Sequence, residues 1–131
     1  DPDRPELGGC GVRNRRHKST VIINTASILV LHILRFTWDA VLQRTVKLNT
    51  RVDFENILPP ITGHSPYDLR AVVEHRGLHD ITSANAGHYV AFVRAQDSNW
   101  YECNDAAQPR VCSIETVRQT QAYMLFYERR G

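Results

Sequence analysis

Short runs of β-branched and aromatic residues recur along this chain, each bounded by turn residues, and only one brief segment carries helix signals. That pattern confines the fold to an antiparallel sheet with little helix, because strands joined by tight turns must run in opposite directions. The first runs are Thr20-Val21-Ile22-Ile23 and Ile28-Leu29-Val30-Leu31-His32-Ile33-Leu34-Arg35-Phe36, separated by the polar Asn24-Thr25-Ala26-Ser27. The second is apolar at successive positions as far as Leu31, which predicts a central strand covered on both faces. Residues 38–45 read as a connecting loop and Val46-Lys47-Leu48 as a short strand. Pro59, Pro60 and Pro66 keep 53–66 from being regular sheet for long, so that stretch is a surface excursion. Tyr67-Asp68-Leu69-Arg70-Ala71-Val72-Val73-Glu74-His75 alternates as a strand, and 76–86 is a polar loop. Residues 88–95 alternate again, Gln96-Asp97-Ser98-Asn99 supplies turn chemistry, and 100–103 returns, which makes a hairpin. Ser113 is placed to cap a short helix over 113–119 with Glu115 in its first turn, and 121–127 is a closing aromatic strand. The sum is five to seven strands with one or two short helices, an α+β domain built on an antiparallel sheet.

Composition narrows the class of partner. With 131 residues, 42% of them hydrophobic, the chain can bury a core and is not intrinsically disordered. A net charge of +2 is too small to argue a nucleic-acid partner, and none is expected; the basic residues Arg13, Arg15, Arg16, His17 and Lys18 could contact phosphates or act as a nuclear address, but read first as a solvated lead-in to a strand. Apolar runs such as Ile28 to Leu31 fall far short of the roughly 20 residues of a membrane helix, so no membrane partner is expected. Cys10, Cys103 and Cys112 form neither a disulfide framework nor a C-x-x-C pair. They point to a reducing cytoplasmic or nuclear compartment, with no metal and no other cofactor. Residues 1–18 form a loose lead-in to a domain over 19–131. The absence of an initiating Met suggests a piece of a longer polypeptide.

His88 is the most suggestive candidate for chemistry. It follows Gly87 at the junction of a polar loop and a buried strand, so its ring can project from a sheet end into a cleft. Asn104 and Asp105 come at the far end of the same hairpin. A histidine with a nearby amide or carboxylate is two thirds of a nucleophilic triad: the oxygen fixes the imidazole tautomer, and the other ring nitrogen takes the nucleophile's proton. If Ala95 pairs with Trp100 across a four-residue turn, alternation puts Asp105 rather than Asn104 on the face of His88; a single bulge reverses this. Periodicity leaves both open. Cys103 and Cys112 fall in predicted strands, where thiols behave as small hydrophobes.

In order, the 28–36 run, the 67–75 strand, Gly87-His88-Tyr89-Val90-Ala91-Phe92, Trp100-Tyr101-Glu102-Cys103-Asn104-Asp105 and Gln121-Ala122-Tyr123-Met124-Leu125-Phe126-Tyr127 resemble the C-terminal half of a ubiquitin-specific protease catalytic domain. The resemblance covers about residues 19–130. It implies the antiparallel, palm-like portion of a papain-like cysteine protease that hydrolyses the (iso)peptide bond after the C-terminal glycine of ubiquitin. By position, His88 matches the catalytic general base, Asn104 the triad member that orients it, and Asp105 the acidic neighbour. An amide in the orienting position holds the ring without adding negative charge. Gly87 and Tyr89 correspond to the floor and wall of the channel for the substrate's glycine-rich tail, and 38–47 and 77–86 to the two loops that flank it. The implied partners are ubiquitin, ubiquitinated proteins and the N-terminal half of the same domain. That half carries the family's nucleophilic cysteine, so this chain alone is expected to be inactive. Cys10 stands near the end of the family's zinc-binding pairs, but its partner cysteines are missing, so residues 1–18 are a remnant of the finger region and no zinc is expected. An inactive ubiquitin-binding or scaffold module of the same fold is the alternative.

Overall fold

The computed structural model describes residues 17–63, 65–77 and 87–131. Nine strands and one helix follow one another: β1 (Ile28–His32), β2 (Phe36–Asp39), β3 (Arg44–Lys47), β4 (Ile57–Leu58), β5 (Tyr67–Arg76), β6 (His88–Arg94), β7 (Trp100–Cys103), β8 (Arg110–Cys112), α1 (Ile114–Arg118) and β9 (Ala122–Arg129). Seven strands make one antiparallel sheet in the order β1-β9-β5-β6-β7-β8, with β4 also on β5, while β2 and β3 form a separate hairpin. This is the expected α+β architecture, with a single short helix. Apart from His17 and Lys18, both exposed, the lead-in over 1–18 lies outside the described residues, as does most of the 77–86 loop.

The core forms where alternation and neighbours agree. Tyr67, Leu69 and Val72 of β5, Val90 and Phe92 of β6, Trp100 of β7 and Ala122, Leu125 and Tyr127 of β9 are buried, and Val117 of α1 packs onto them. Ser113 caps α1 as its sequence suggests, its side-chain oxygen accepting from the Thr116 N–H. Two register shifts interrupt the β5–β9 ladder, at Leu69/Ala71 and Val73/Glu74.

Four readings are corrected. Residues 20–23 form no strand: their β-branched side chains find no neighbouring ladder, and Val21 and Ile23 are exposed. The 28–36 run is not one central strand. Its first five residues make β1, which pairs with β9 alone and leaves Ile28 and Val30 exposed, and the chain breaks before Phe36 opens β2. Residues 38–45 are not a loop but most of the β2–β3 hairpin, whose turn is held by Asp39 Oδ1 accepting from the N–H groups of Val41 and Leu42. The hairpin of β6 and β7 is real, but its register is one residue tighter: Arg94, not Ala95, faces Trp100. Ser98 at φ 67 closes the shorter loop, with Ala95 N–H donating to the Asn99 carbonyl.

Candidate functional site

Gly87 sets the start of β6. Its φ of +125 disfavours any side chain, and a Cβ there would stand 2.7 Å from both the Arg76 carbonyl oxygen and the His75 ring Nε2. The chain therefore lies against the end of β5 and delivers His88 as the first residue of β6, paired with Arg76.

The tighter β6–β7 register then decides what His88 meets. Ala91 faces Cys103, so Cys103 points away from the face of His88 and Asn104, the next residue, points toward it. His88 Nε2 lies 2.5 Å from Asn104 Oδ1. An amide oxygen only accepts, so Nε2 carries the proton and the neutral ring keeps its lone pair on Nδ1. That nitrogen has Asp105 Oδ2 3.6 Å away, on a side chain 78% exposed, and the His88 side chain is itself 41% exposed. Both expected neighbours reach the ring, Asn104 by a hydrogen bond and Asp105 by a looser, solvated contact. The one-residue change of register is why alternation alone pointed to Asp105.

Tyr89 projects from the other face of β6. Its ring stacks edge-on against His75 with centroids 4.7 Å apart and lies 5.6 Å from Tyr123, and burial, followed by the neighbouring Tyr123, raises its phenol above the ordinary value. His75, itself fully buried, also meets Phe36 at 5.4 Å. Two buried cations fasten the β2–β3 hairpin beside this aromatic group. Lys47 Nζ donates to the His75 carbonyl at 2.6 Å, and Arg35 donates from Nε to the Ala122 carbonyl at 2.6 Å and from Nη1 to the carbonyls of Leu48 and Thr50. Burial, and then the charge of Arg35, holds Lys47 below the usual lysine range. Sequence reasoning missed Phe36, His75, Lys47 and Arg35. The readable signal was a cation interrupting each apolar run, Arg35 before Phe36 and Lys47 after Val46.

Cys103 and Cys112 are free and half-buried, and burial, then Glu102, pushes the Cys112 thiol up. Cys10 lies outside the described residues. Among the described residues no three His, Cys, Asp or Glu side chains converge as a metal-ligand set, and no helix is long and apolar enough to cross a membrane. A cavity of about 580 Å³ opens at the opposite end of the sheet from His88, between Asp68, Arg94, Trp100 and Arg130.

The antiparallel sheet, with one short helix among the described residues, has the fold of the corresponding part of solved ubiquitin-specific protease domains, a class of papain-like cysteine protease. The ubiquitin carboxyl-terminal hydrolase family profile matches residues 10–127, and ubiquitin carboxyl-terminal hydrolase 2 from Homo sapiens and from Rattus norvegicus are 34% and 33% identical to the chain over 134 residues. The chain belongs to that family and is the C-terminal portion of a ubiquitin-specific protease domain. Each of those two matches covers 96% of this chain but only 21% and 20% of the relative, so the chain spans about a fifth of their length. Among solved structures, the SAGA Ubp8/Sgf11/Sus1/Sgf73 DUB module bound to ubiquitin aldehyde is similar with a TM-score of 0.72 at 27% identity, covering 85% of this chain and 26% of that one. A SAGA DUB module bound to monoubiquitin gives 0.70 at 29% identity, covering 85% and 25%.

Proposed function

We propose that this chain is the histidine-bearing portion of a thiol-dependent deubiquitinase that hydrolyses the (iso)peptide bond after the C-terminal glycine of ubiquitin. His88 Nδ1 takes the proton of a cysteine thiol supplied by a segment outside these 131 residues, and later returns it to the leaving amine. Asn104 Oδ1 accepts a hydrogen bond from Nε2–H throughout and so fixes tautomer and ring plane. Asp105 offers a nearby countercharge when the ring is an imidazolium. Gly87 and Tyr89 stand on the path of the substrate's glycine-rich tail by the family resemblance: the glycine lets the chain lie against His75 beside His88, and the Tyr89 ring stays 41% exposed to meet a passing backbone.

The observation that carries this reading is the 2.5 Å contact of His88 Nε2 with Asn104 Oδ1 on a ring that is 41% exposed and whose Nδ1 is directed to the solvated side, 3.6 Å from the exposed Asp105 carboxylate. Ubiquitin-bound relatives of the same fold support ubiquitin as the substrate and partner. The test is cleavage of a ubiquitin C-terminal reporter by the full-length protein: His88→Ala is expected to lower turnover at least about 10³-fold. Undiminished turnover sinks the assignment. A second reading, an inactive ubiquitin-binding scaffold, draws on the placement of the two described thiols: Cys103 points from the other face of the sheet, and Cys112 lies opposite Trp100 at the far end of the β6–β7 hairpin from His88. It predicts tight ubiquitin binding by the full-length protein with no turnover at all.

A further inference from the structure

The two halves of the His88–Asn104 pair are anchored unequally. The β5–β6 ladder continues to Arg76–His88, so the histidine is tied to β5 by its backbone. The β6–β7 ladder ends at Ala91–Cys103, so none of its backbone pairs joins His88 to the segment carrying Asn104. Something else must hold that segment within hydrogen-bond reach of the ring.

The side chain of Arg76 spans the gap. It crosses over β6, with its Cζ 5.7 Å from the Phe92 ring, and donates from Nη1 to Glu102 Oε1 on β7 at 2.8 Å. Its Nε donates to Glu74 Oε2 at 2.8 Å, and the other Glu74 oxygen accepts from the Gln121 N–H at the threshold of β9. The guanidinium thus ties β5 to β7, with Glu74 extending the chain of bonds to the residue before β9, and its β7 anchor is two residues before Asn104. Two carboxylates in different directions suit the forked donors of arginine and not the point charge of lysine. Arg76 is 42% exposed, so the ion pairs add little to global stability, and geometry is what they supply.

We propose that Arg76 and Glu102 form a positioning bridge that sets the distance between His88 and Asn104 during hydrolysis, an inference that rests on the deubiquitinase reading above. Neither residue touches the reacting atoms. If the bridge works through Asn104, its removal matters only while Asn104 is present.

The experiment is a double-mutant cycle on the full-length protein with a ubiquitin C-terminal reporter. Arg76→Gln is expected to lower kcat roughly tenfold, with KM within about twofold, because the lost interaction positions the base and does not bind substrate. Glu102→Gln, which keeps the shape, is expected to show the same split, and it carries the test if Arg76→Gln unfolds. In the Asn104→Ala background either substitution is expected to change kcat less than about twofold. An unchanged kcat in the single variants, or an equal fall in both backgrounds, overturns the bridge while the hydrolase reading stands. Turnover that survives His88→Ala overturns the reading itself, and the bridge with it.

Discussion

Gly87 leaves no room beside His75: a Cβ on the glycine would stand 2.7 Å from the ring Nε2 and 2.8 Å from Cε1. The neighbour is a fully buried imidazole wedged among Phe36, Tyr89 and Tyr123, so it cannot swing aside. Backbone conformation and packing therefore both select glycine next to His88. Gly87→Ala is expected to cost about 2 kcal/mol or more from the disallowed φ and the overpacking together. Denaturant unfolding of the full-length variant checks this, and a change below about 0.5 kcal/mol contradicts it.

Asn104 is expected to act through its acceptor oxygen and not through its charge state. Asn104→Ala removes the only group hydrogen-bonded to His88 Nε2 among the described residues and should lower kcat about 10²-fold with KM little changed. Asn104→Asp keeps an acceptor in the same place and should stay within roughly tenfold of the parent. Reporter kinetics on both variants decide it: equal losses would mean that the amide, with its N–H donors, does more than orient the ring.

Local chemistry was readable where neighbours in sequence are also neighbours in space. The alternation of β5 and the Ser113 cap of α1 need no distant partner, and both were legible. His88 was legible for the same reason, since a glycine and a histidine at a loop–strand junction are adjacent in the chain. The β2–β3 hairpin was not, because Trp38, Val41 and Leu42 are exposed and scramble the pattern of buried and open positions, while Gln43 adopts φ 48 without being a glycine. Periodicity left Asn104 and Asp105 open because the answer turns on one residue of register, and Ser98, whose residue type does not announce its left-handed conformation, sits in the turn that sets it. The cluster of Arg35, Lys47 and His75 joins segments far apart in the chain, and no local pattern encodes such contacts.

Tyr127 gives a stability signature at high pH. It is 1% exposed, its hydroxyl donates to the Glu55 carbonyl at 2.7 Å, and burial, with Glu55 adding to it, pushes the phenol up to about 12 from an ordinary 10.0. The unfolded chain ionises this group at lower pH than the fold does. Its contribution is therefore complete below pH 10 and is lost as pH rises toward 12. Tyr127→Phe should cost roughly 1 kcal/mol at neutral pH and flatten the alkaline fall. Denaturant midpoints across that range, for parent and variant, test both; parallel curves would rule out the raised phenol.

The two described cysteines should be dispensable for turnover. Cys103 pairs with Ala91, and the pleat turns it away from the face that carries His88 and Asn104, so its sulfur cannot hand a proton to His88 Nδ1. Cys112 lies on β8 opposite Trp100, near the far end of the β6–β7 hairpin from His88, and its thiol is pushed up by burial, which disfavours the thiolate that attack requires. The double variant Cys103→Ala/Cys112→Ala of the full-length protein is therefore expected to keep its kcat within about threefold, allowing for small packing changes beside Asn104. An electrophilic probe at the C-terminus of ubiquitin should still form its covalent adduct with that variant, and peptide mass spectrometry should map it to a cysteine outside residues 103 and 112. Loss of the adduct in the folded double variant would move the nucleophile into this sheet, and the arrangement of His88 inferred from the pleat would then have to be wrong.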